Sequence, residues 1–144
     1  MDLLAKPGPE TFVSKGTTAR RKILIIDDDR FWHKLLKQLL ARDYDVYSAA
    51  NCGEGVDLVK AHKPDCILLD FHLPDGDAVS ACLELRKNAQ KPDTPVIVVS
   101  FDLGAEVTAY TECRAAYFVR KGSQRMLALP ALVGKLLLPA ATVP

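Results

Sequence analysis

Four short apolar runs in this sequence each end on residues able to do chemistry. Ile23-Leu24-Ile25-Ile26 runs into Asp27-Asp28-Asp29, and Cys66-Ile67-Leu68-Leu69 runs into Asp70. Val96-Ile97-Val98-Val99 ends at Ser100, and Tyr117-Phe118-Val119 ends near Lys121. Crowded carboxylates repel one another, and one takes up a proton unless a cation compensates the cluster. A hard divalent cation does so: Mg2+ prefers a few carboxylates, waters and phosphate oxygens. A carboxylate beside such an ion can attack phosphorus and form an acyl phosphate. The Ser100 hydroxyl could then donate to one phosphoryl oxygen while the Lys121 ammonium pairs with another. Singly, each residue has a plainer role: acidic residues after strands cap helices, and a lone lysine is commonly solvated. The set, with each member at a strand end, is harder to explain that way.

These residues act together only if the fold brings the strand ends together. The first three runs suit strands buried on both faces, the run at 23–26 being rich in β-branched residues, and Tyr117-Phe118-Val119 reads as the last strand. Asp45-Val46-Tyr47-Ser48-Ala49 alternates more and suits an edge strand. Between the strands, Phe31, Trp32, Leu35, Leu36, Leu39 and Leu40 recur at helical spacing among polar residues. Further helices are expected around Val56–Ala61, Ala78–Lys87, Ala105–Arg114 and Met126–Leu137, the last stopped by Pro139. Five strands alternating with five helices give an α/β fold, a parallel sheet covered on both faces. In such sheets sites form beyond the carboxyl ends of the strands, at a topological switch point. Periodicity alone leaves the strand order open. If strands 1 and 3 are neighbours, three carboxylates converge with a hydroxyl and an ammonium beside them.

The bulk properties narrow the classes. One domain fits 144 residues, with about half of them apolar. Nineteen basic against 18 acidic residues leave a net charge of +1, so direct binding to nucleic acid or an anionic membrane is not expected. A local cluster of Lys15, Arg20, Arg21 and Lys22 reads as part of a solvated arm. Cys52, Cys66, Cys82 and Cys113 form no Cys-x-x-Cys pair and have no nearby histidine at zinc-ligand spacing, which suggests reduced thiols and a cytoplasmic location. No segment reaches the ~18 apolar residues of a membrane span. Residues 1–21 are expected to form an arm rich in Pro and Gly, 22–138 the folded domain, and 139–144 a tail. No phosphate-cradling glycine motif is present.

Four spaced segments carry a resemblance: Ile-Leu-Ile-Ile-Asp-Asp-Asp at 23–29, Ile-Leu-Leu-Asp-Phe-His-Leu-Pro-Asp-Gly at 67–76, Val-Ile-Val-Val-Ser at 96–100 and Tyr-Phe-Val-Arg-Lys at 117–121. The sequence resembles the receiver domains of two-component response regulators over about residues 22–138. The resemblance implies a doubly wound, flavodoxin-like (βα)5 sheet of order 2-1-3-4-5. It implies that Asp70 is the phosphoacceptor, taking phosphate from a sensor histidine kinase or a histidine phosphotransfer protein. It implies Mg2+ held by Asp28 directly, by Asp27 mainly through water, by Asp70 and by the backbone carbonyl of His72. Ser100 and Lys121 would contact the phosphoryl group, and Ser100 and Phe118 would switch the face built from helix 4, strand 5 and helix 5. That face would meet a downstream protein target or a second copy in a homodimer. Pro74 and Gly76 would shape the loop after the acceptor. Such a domain is not an enzyme beyond catalysing its own phosphorylation and dephosphorylation.

Three departures from the family's habit matter. Phe101 follows Ser100, where a small residue is usual; it is a candidate gate at the mouth of the pocket, or else packs outward on helix 4. Gly122 follows Lys121, where many members carry a cis-proline. His72 and Asp102 occupy the two variable positions that tune dephosphorylation. Two other classes compete. A non-phosphorylated pseudo-receiver would be a pure interaction module, with Phe101 in its favour. A haloacid-dehalogenase-type phosphatase would use Asp27 as nucleophile and Asp29 as general acid, but Gly122-Ser123-Gln124-Arg125 lacks the acidic pair that family adds after its lysine.

Overall fold

The computed structural model describes residues 20–89 and 93–138. The tail beyond 138, Pro139 included, and all of the expected arm except Arg20 and Arg21 lie outside them. Five strands form one parallel sheet: β1 (Lys22–Ile26), β2 (Asp45–Ala49), β3 (Cys66–Leu69), β4 (Val96–Ser100) and β5 (Tyr117–Arg120), in the order β2-β1-β3-β4-β5. Every pairing in this sheet is parallel. The connecting helices are α1 (Arg30–Leu40), α2 (Cys52–His62), α3 (Ala78–Asn88), α4 (Glu106–Thr111) and α5 (Leu129–Leu136). This is the expected doubly wound, flavodoxin-like sheet. The loop after β3 also forms a small antiparallel ladder, His72–Leu73 against Gly76–Asp77.

The period of two along each strand divides the core into two layers. Ile23 and Ile25 of β1 join Trp32, Leu36 and Leu40 of α1 with Leu129 and Val133 of α5. Leu24 and Ile26 point the other way, onto Val59 of α2, Leu85 of α3 and Ala109 of α4. β2 is the half-exposed edge strand, as its alternation suggests. Among the described residues, no helix is long and apolar enough to cross a membrane.

Three local features differ from the sequence reading. Helix α2 starts at Cys52 rather than near Val56, because capping rather than apolar periodicity marks its start. Asn51 accepts from the Glu54 N–H at 2.9 Å, and the Asp75 carboxylate accepts from the Cys52 and Gly53 N–H groups at 2.9 and 3.0 Å. Helix α4 is shorter than expected: a 3₁₀ turn, Leu103–Ala105, takes its start, and the chain past it reaches a left-handed residue, Arg114 at φ 52°. The basic cluster is not simply solvated. Arg20 pairs with Asp45 at 3.7 Å, Arg21 with Asp65 at 3.7 Å, and Lys22 donates from Nζ to the His62 carbonyl at 3.2 Å.

Gly55 sets how closely α2 approaches the sheet. A Cβ placed there would stand 2.6 Å from Cδ1 of Ile26. A helix-interior glycine costs about 1 kcal/mol relative to alanine, and here it admits the side chain that leads into Asp27. Gly55→Val should therefore destabilise the domain by roughly 1–3 kcal/mol through overpacking. Urea unfolding measures this, and Gly55→Val combined with Ile26→Val should recover part of the loss. An unchanged midpoint in Gly55→Val would show that the contact yields freely.

Candidate functional site

Parallel register sets the site. Ile26 lies beside Leu69, so the residues that follow them emerge side by side at the carboxyl edge of the sheet. The ladder continues just past the strands: the Asp27 N–H donates to the Ala49 carbonyl at 3.0 Å, and the Asp70 N–H to the Ile26 carbonyl at 2.9 Å. The Lys121 N–H donates to the Ser100 carbonyl at 2.9 Å. Backbone hydrogen bonds of sheet quality thus hold each of these residues. Five polar or charged residues are buried among those described, and four of them are Asp27, Asp70, Ser100 and Lys121. Buried polar groups are costly unless partnered, so their gathering at one edge marks a site rather than a packing accident.

The partners are the residues themselves. Lys121 Nζ stands 2.6 Å from Oδ2 of Asp27 and 3.3 Å from Oδ2 of Asp70. The other Asp27 oxygen accepts from the Asp29 N–H at 2.9 Å. Asp27, Asp28 and Asp70 each offer an oxygen, all within 4.8 Å of one another. Burial pushes the Asp70 carboxyl above the usual carboxylate range; Lys121 pulls it back, and Asp27 adds to the rise. One ammonium therefore serves a cluster of three carboxylates, and Asp70 carries an uncompensated cost as an anion. A divalent cation fits this charge deficit and this all-oxygen donor set. The residues present are suited to it, with exposed Asp28 on the open side.

A cavity of about 510 Å³ opens over the cluster, lined by Asp28, Asp70, His72, Ser100, Phe101, Asp102 and Lys121. His72 and Asp102 join across it, Nε2 to Oδ2 at 2.9 Å. The bond from His72 holds the Asp102 carboxyl below the usual range. The His72 imidazole is thus engaged with Asp102, and only its backbone carbonyl is left for the role the resemblance gave it. Asp102 also accepts from the Gly104 N–H at 2.9 Å, and its own N–H donates to Ser100 Oγ at 3.1 Å. Phe118 is buried among Ala105 and Ala109, and its N–H donates to the Tyr110 hydroxyl at 3.0 Å. Asp29 is spent as the N-cap of α1, accepting from the Phe31 N–H at 2.9 Å. Of the two carboxylates the phosphatase alternative would use, Asp27 is paired with Lys121 and Asp29 with the first turn of α1.

Phe101 stands at the rim, 60% exposed. Its ring leans on Trp32, with centroids 5.3 Å apart at 75°, and lies 5.6 Å from Lys121 Nζ. Of the two positions open to it from the sequence, this is the mouth of the pocket. Gly122 lies beneath the ring at φ 80°, a conformation that disfavours any side chain. Gly76, in the loop after the acceptor, is also at positive φ, 153°.

Sequence reasoning brought together Asp27, Asp28, Asp70, Ser100, Lys121 and the rim residue Phe101. It missed Trp32, which it took only as an apolar helix residue, and Asp75, which ties the loop after Asp70 to α2. Asp75 lies 23 and 22 residues beyond the two N–H groups it caps, so no local motif reveals it. Trp32 is the sole tryptophan, and its place three residues past the aspartate run was the available signal.

Comparison with known proteins agrees with this geometry. The family model described as response regulator receiver domain matches residues 23–130. The response regulator domain of Thermotoga maritima CheB is similar at 28% identity and a TM-score of 0.66, covering 81% of this chain and 93% of that one. A two-component response regulator from Clostridium difficile is 26% identical with a TM-score of 0.71, covering 82% of this chain and 96% of that one. The receiver domain of a sensor histidine kinase from Pseudomonas aeruginosa PAO1, with a magnesium ion coordinated in its active site cleft, shares the fold at 20% identity and a TM-score of 0.68, over 82% of this chain and 98% of that one. With its parallel order, its buried carboxylate-lysine cluster and a match over most of its length, the chain belongs to the response regulator receiver domain family.

Proposed function

We propose that this receiver accepts a phosphoryl group on Asp70 from the phosphohistidine of a sensor histidine kinase or a histidine phosphotransfer protein. The observation that carries this reading is the Asp70 carboxylate itself, buried beside Lys121 at 3.3 Å yet facing an open cavity. A free Asp70 oxygen would attack phosphorus, the bond from phosphorus to the donor imidazole nitrogen would break, and its electron pair would return to the ring. Lys121 would neutralise one phosphoryl oxygen as charge develops, and Ser100 would donate to another. Asp27, Asp28, Asp70 and the His72 carbonyl would hold Mg2+. When bound, the metal would supply charge neutralisation between the acceptor and the incoming phosphoryl oxygens. The magnesium in the Pseudomonas aeruginosa relative supports this assignment.

For the response, Ser100 and Phe118 would couple the site to the face of α4, β5 and α5. The Ser100 hydroxyl is bonded to the Asp102 N–H, at the start of the segment leading into α4. Drawing that hydroxyl toward a phosphoryl oxygen would bias this segment, and Phe118 would repack beneath it. A downstream protein, or a second copy of the chain, would read the changed face. The domain would carry out only its own phosphorylation and dephosphorylation.

Asp70→Asn should abolish covalent labelling by acetyl phosphate with Mg2+, read by intact mass; a mass gain equal to wild type would reject Asp70 as acceptor. In metal-free protein the same variant should be more stable than wild type at pH 7. The sign follows from the raised carboxyl of Asp70: its ionised form is disfavoured by folding, so the cost is absent below the unfolded-state pKa, near ~3.9, and complete once pH exceeds the folded value. The gain in melting temperature should therefore shrink as the pH is lowered through that range, and a gain that is constant with pH would assign it to packing. Asp28→Ala should weaken Mg2+ binding at least about tenfold, measured by calorimetry; equal affinity would place the metal elsewhere.

A further inference from the structure

The Lys121 ammonium faces carboxylates on one side and aromatic rings on the other. Its Nζ lies 5.4 Å from the Trp32 ring centroid and 5.6 Å from that of Phe101, both within cation–π range. The two rings meet edge to face, so they form two walls of a corner. The walls differ in support. Trp32 is 8% exposed and rooted in the core layer of Leu36, Val119, Met126 and Leu129. Phe31 abuts it from the far side at 5.1 Å and 90°. Phe101 is 60% exposed, so core packing does not account for the position of its ring. Its near partners are Trp32, Lys121 and the bare backbone of Gly122, where a Cβ would stand 3.8 Å from Cε1.

A lysine carries its charge on a flexible four-carbon stem. Left open on the solvent side, the ammonium could turn out of the cavity or recruit water. With both rings in place and the amine buried, water is kept from that side, and the attraction of each ring for the cation is strengthened by desolvation. What remains open is the arc facing Asp27 and Asp70.

We propose that Trp32 and Phe101 form an aromatic cradle that holds the Lys121 ammonium toward Asp70, and that both are positioning residues for phosphoryl transfer. The proposal rests on the reading of Asp70 as phosphoacceptor. Neither ring touches the reacting atoms. Their effect is that Lys121 meets the incoming phosphoryl oxygen already oriented and without a water shell to reorganise. A steric gate is the competing role for Phe101, and the two differ in sign. A gate slows small donors, so removing it speeds them. A cradle helps Lys121, so removing it slows them.

The experiment compares wild type, Phe101→Tyr, Phe101→Leu and Phe101→Ala, with acetyl phosphate and Mg2+, by the rate of mass gain. The site is exposed, so folding should be unaffected, and melting temperatures check this. The expected result is a rate near wild type for Tyr and a loss of about three- to tenfold for both Leu and Ala, because Leu keeps bulk but has no π face. Leu equal to wild type, or Ala faster than wild type, would overturn the cradle. A second readout needs no metal and no phosphoryl transfer. Trp32 is the only tryptophan, so Lys121→Met should change its emission intensity or maximum in metal-free protein, and an unchanged spectrum would also overturn the cradle. If wild type itself takes no label, the phosphoacceptor reading fails and the positioning role falls with it. Labelling of wild type with indifferent Phe101 variants rejects the cradle alone.

Discussion

One buried ammonium among three carboxylates is the interaction on which the site depends. Lys121 reaches Asp27 and Asp70 at 2.6 and 3.3 Å, in a place where unpaired charge would be expensive. The parallel sheet makes this possible. Its strands all end at one edge, and β1 and β3 are adjacent there although α1, β2 and α2 separate them in sequence. β1, β3 and β4 deliver Asp27, Asp70 and Ser100 one step beyond the last apolar residue, and β5 delivers Lys121 two steps beyond Val119. The core therefore gives up no packing to the site, and the charges sit where the cavity begins.

Much of this was legible because strand periodicity and polar interruption coincide. Ile23–Ile26 before Asp27 and Cys66–Leu69 before Asp70 carry both signals at once, and the structure places them as expected. Strand order was not in the periodicity; it came from the resemblance, because neighbour choice depends on how helices pack across the sheet. The start of α2 was hidden for another reason. Cys52-Gly53-Glu54-Gly55 has no apolar face, and its helix depends on Asn51 and the distant Asp75. The roles of Trp32 and of the His72–Asp102 pair were hidden because both are contacts between segments far apart in sequence. A helical stripe shows that Trp32 faces inward but not that its ring also borders the lysine.

The elements around the cavity divide into fixed and movable parts. Asp27, Asp70 and Lys121 are held by backbone bonds that extend the sheet. The segment carrying Phe101, Asp102 and Leu103 is exposed and is tied down by a few side-chain bonds: Asp102 to His72, to the Gly104 N–H, and through its own N–H to Ser100. Under the proposed function, a change at the carboxylates would reach this segment through those bonds.

That division also explains why Ser100 sits where it does. Its side chain is buried, its carbonyl accepts from the Lys121 N–H, and its hydroxyl accepts from the Asp102 N–H. The residue thus joins the rigid ladder by its backbone and the movable segment by its side chain. A hydroxyl has one proton and two lone pairs. Here a lone pair holds Asp102, and under the proposed function the proton would be directed toward an oxygen arriving at Asp70. Keeping both bonds requires the Asp102 amide to follow the hydroxyl, and the next residues are the turn into α4. Under the proposed function, chemistry at the strand edge would in this way be linked to a helix start through one side chain, with Phe118 repacking beneath it.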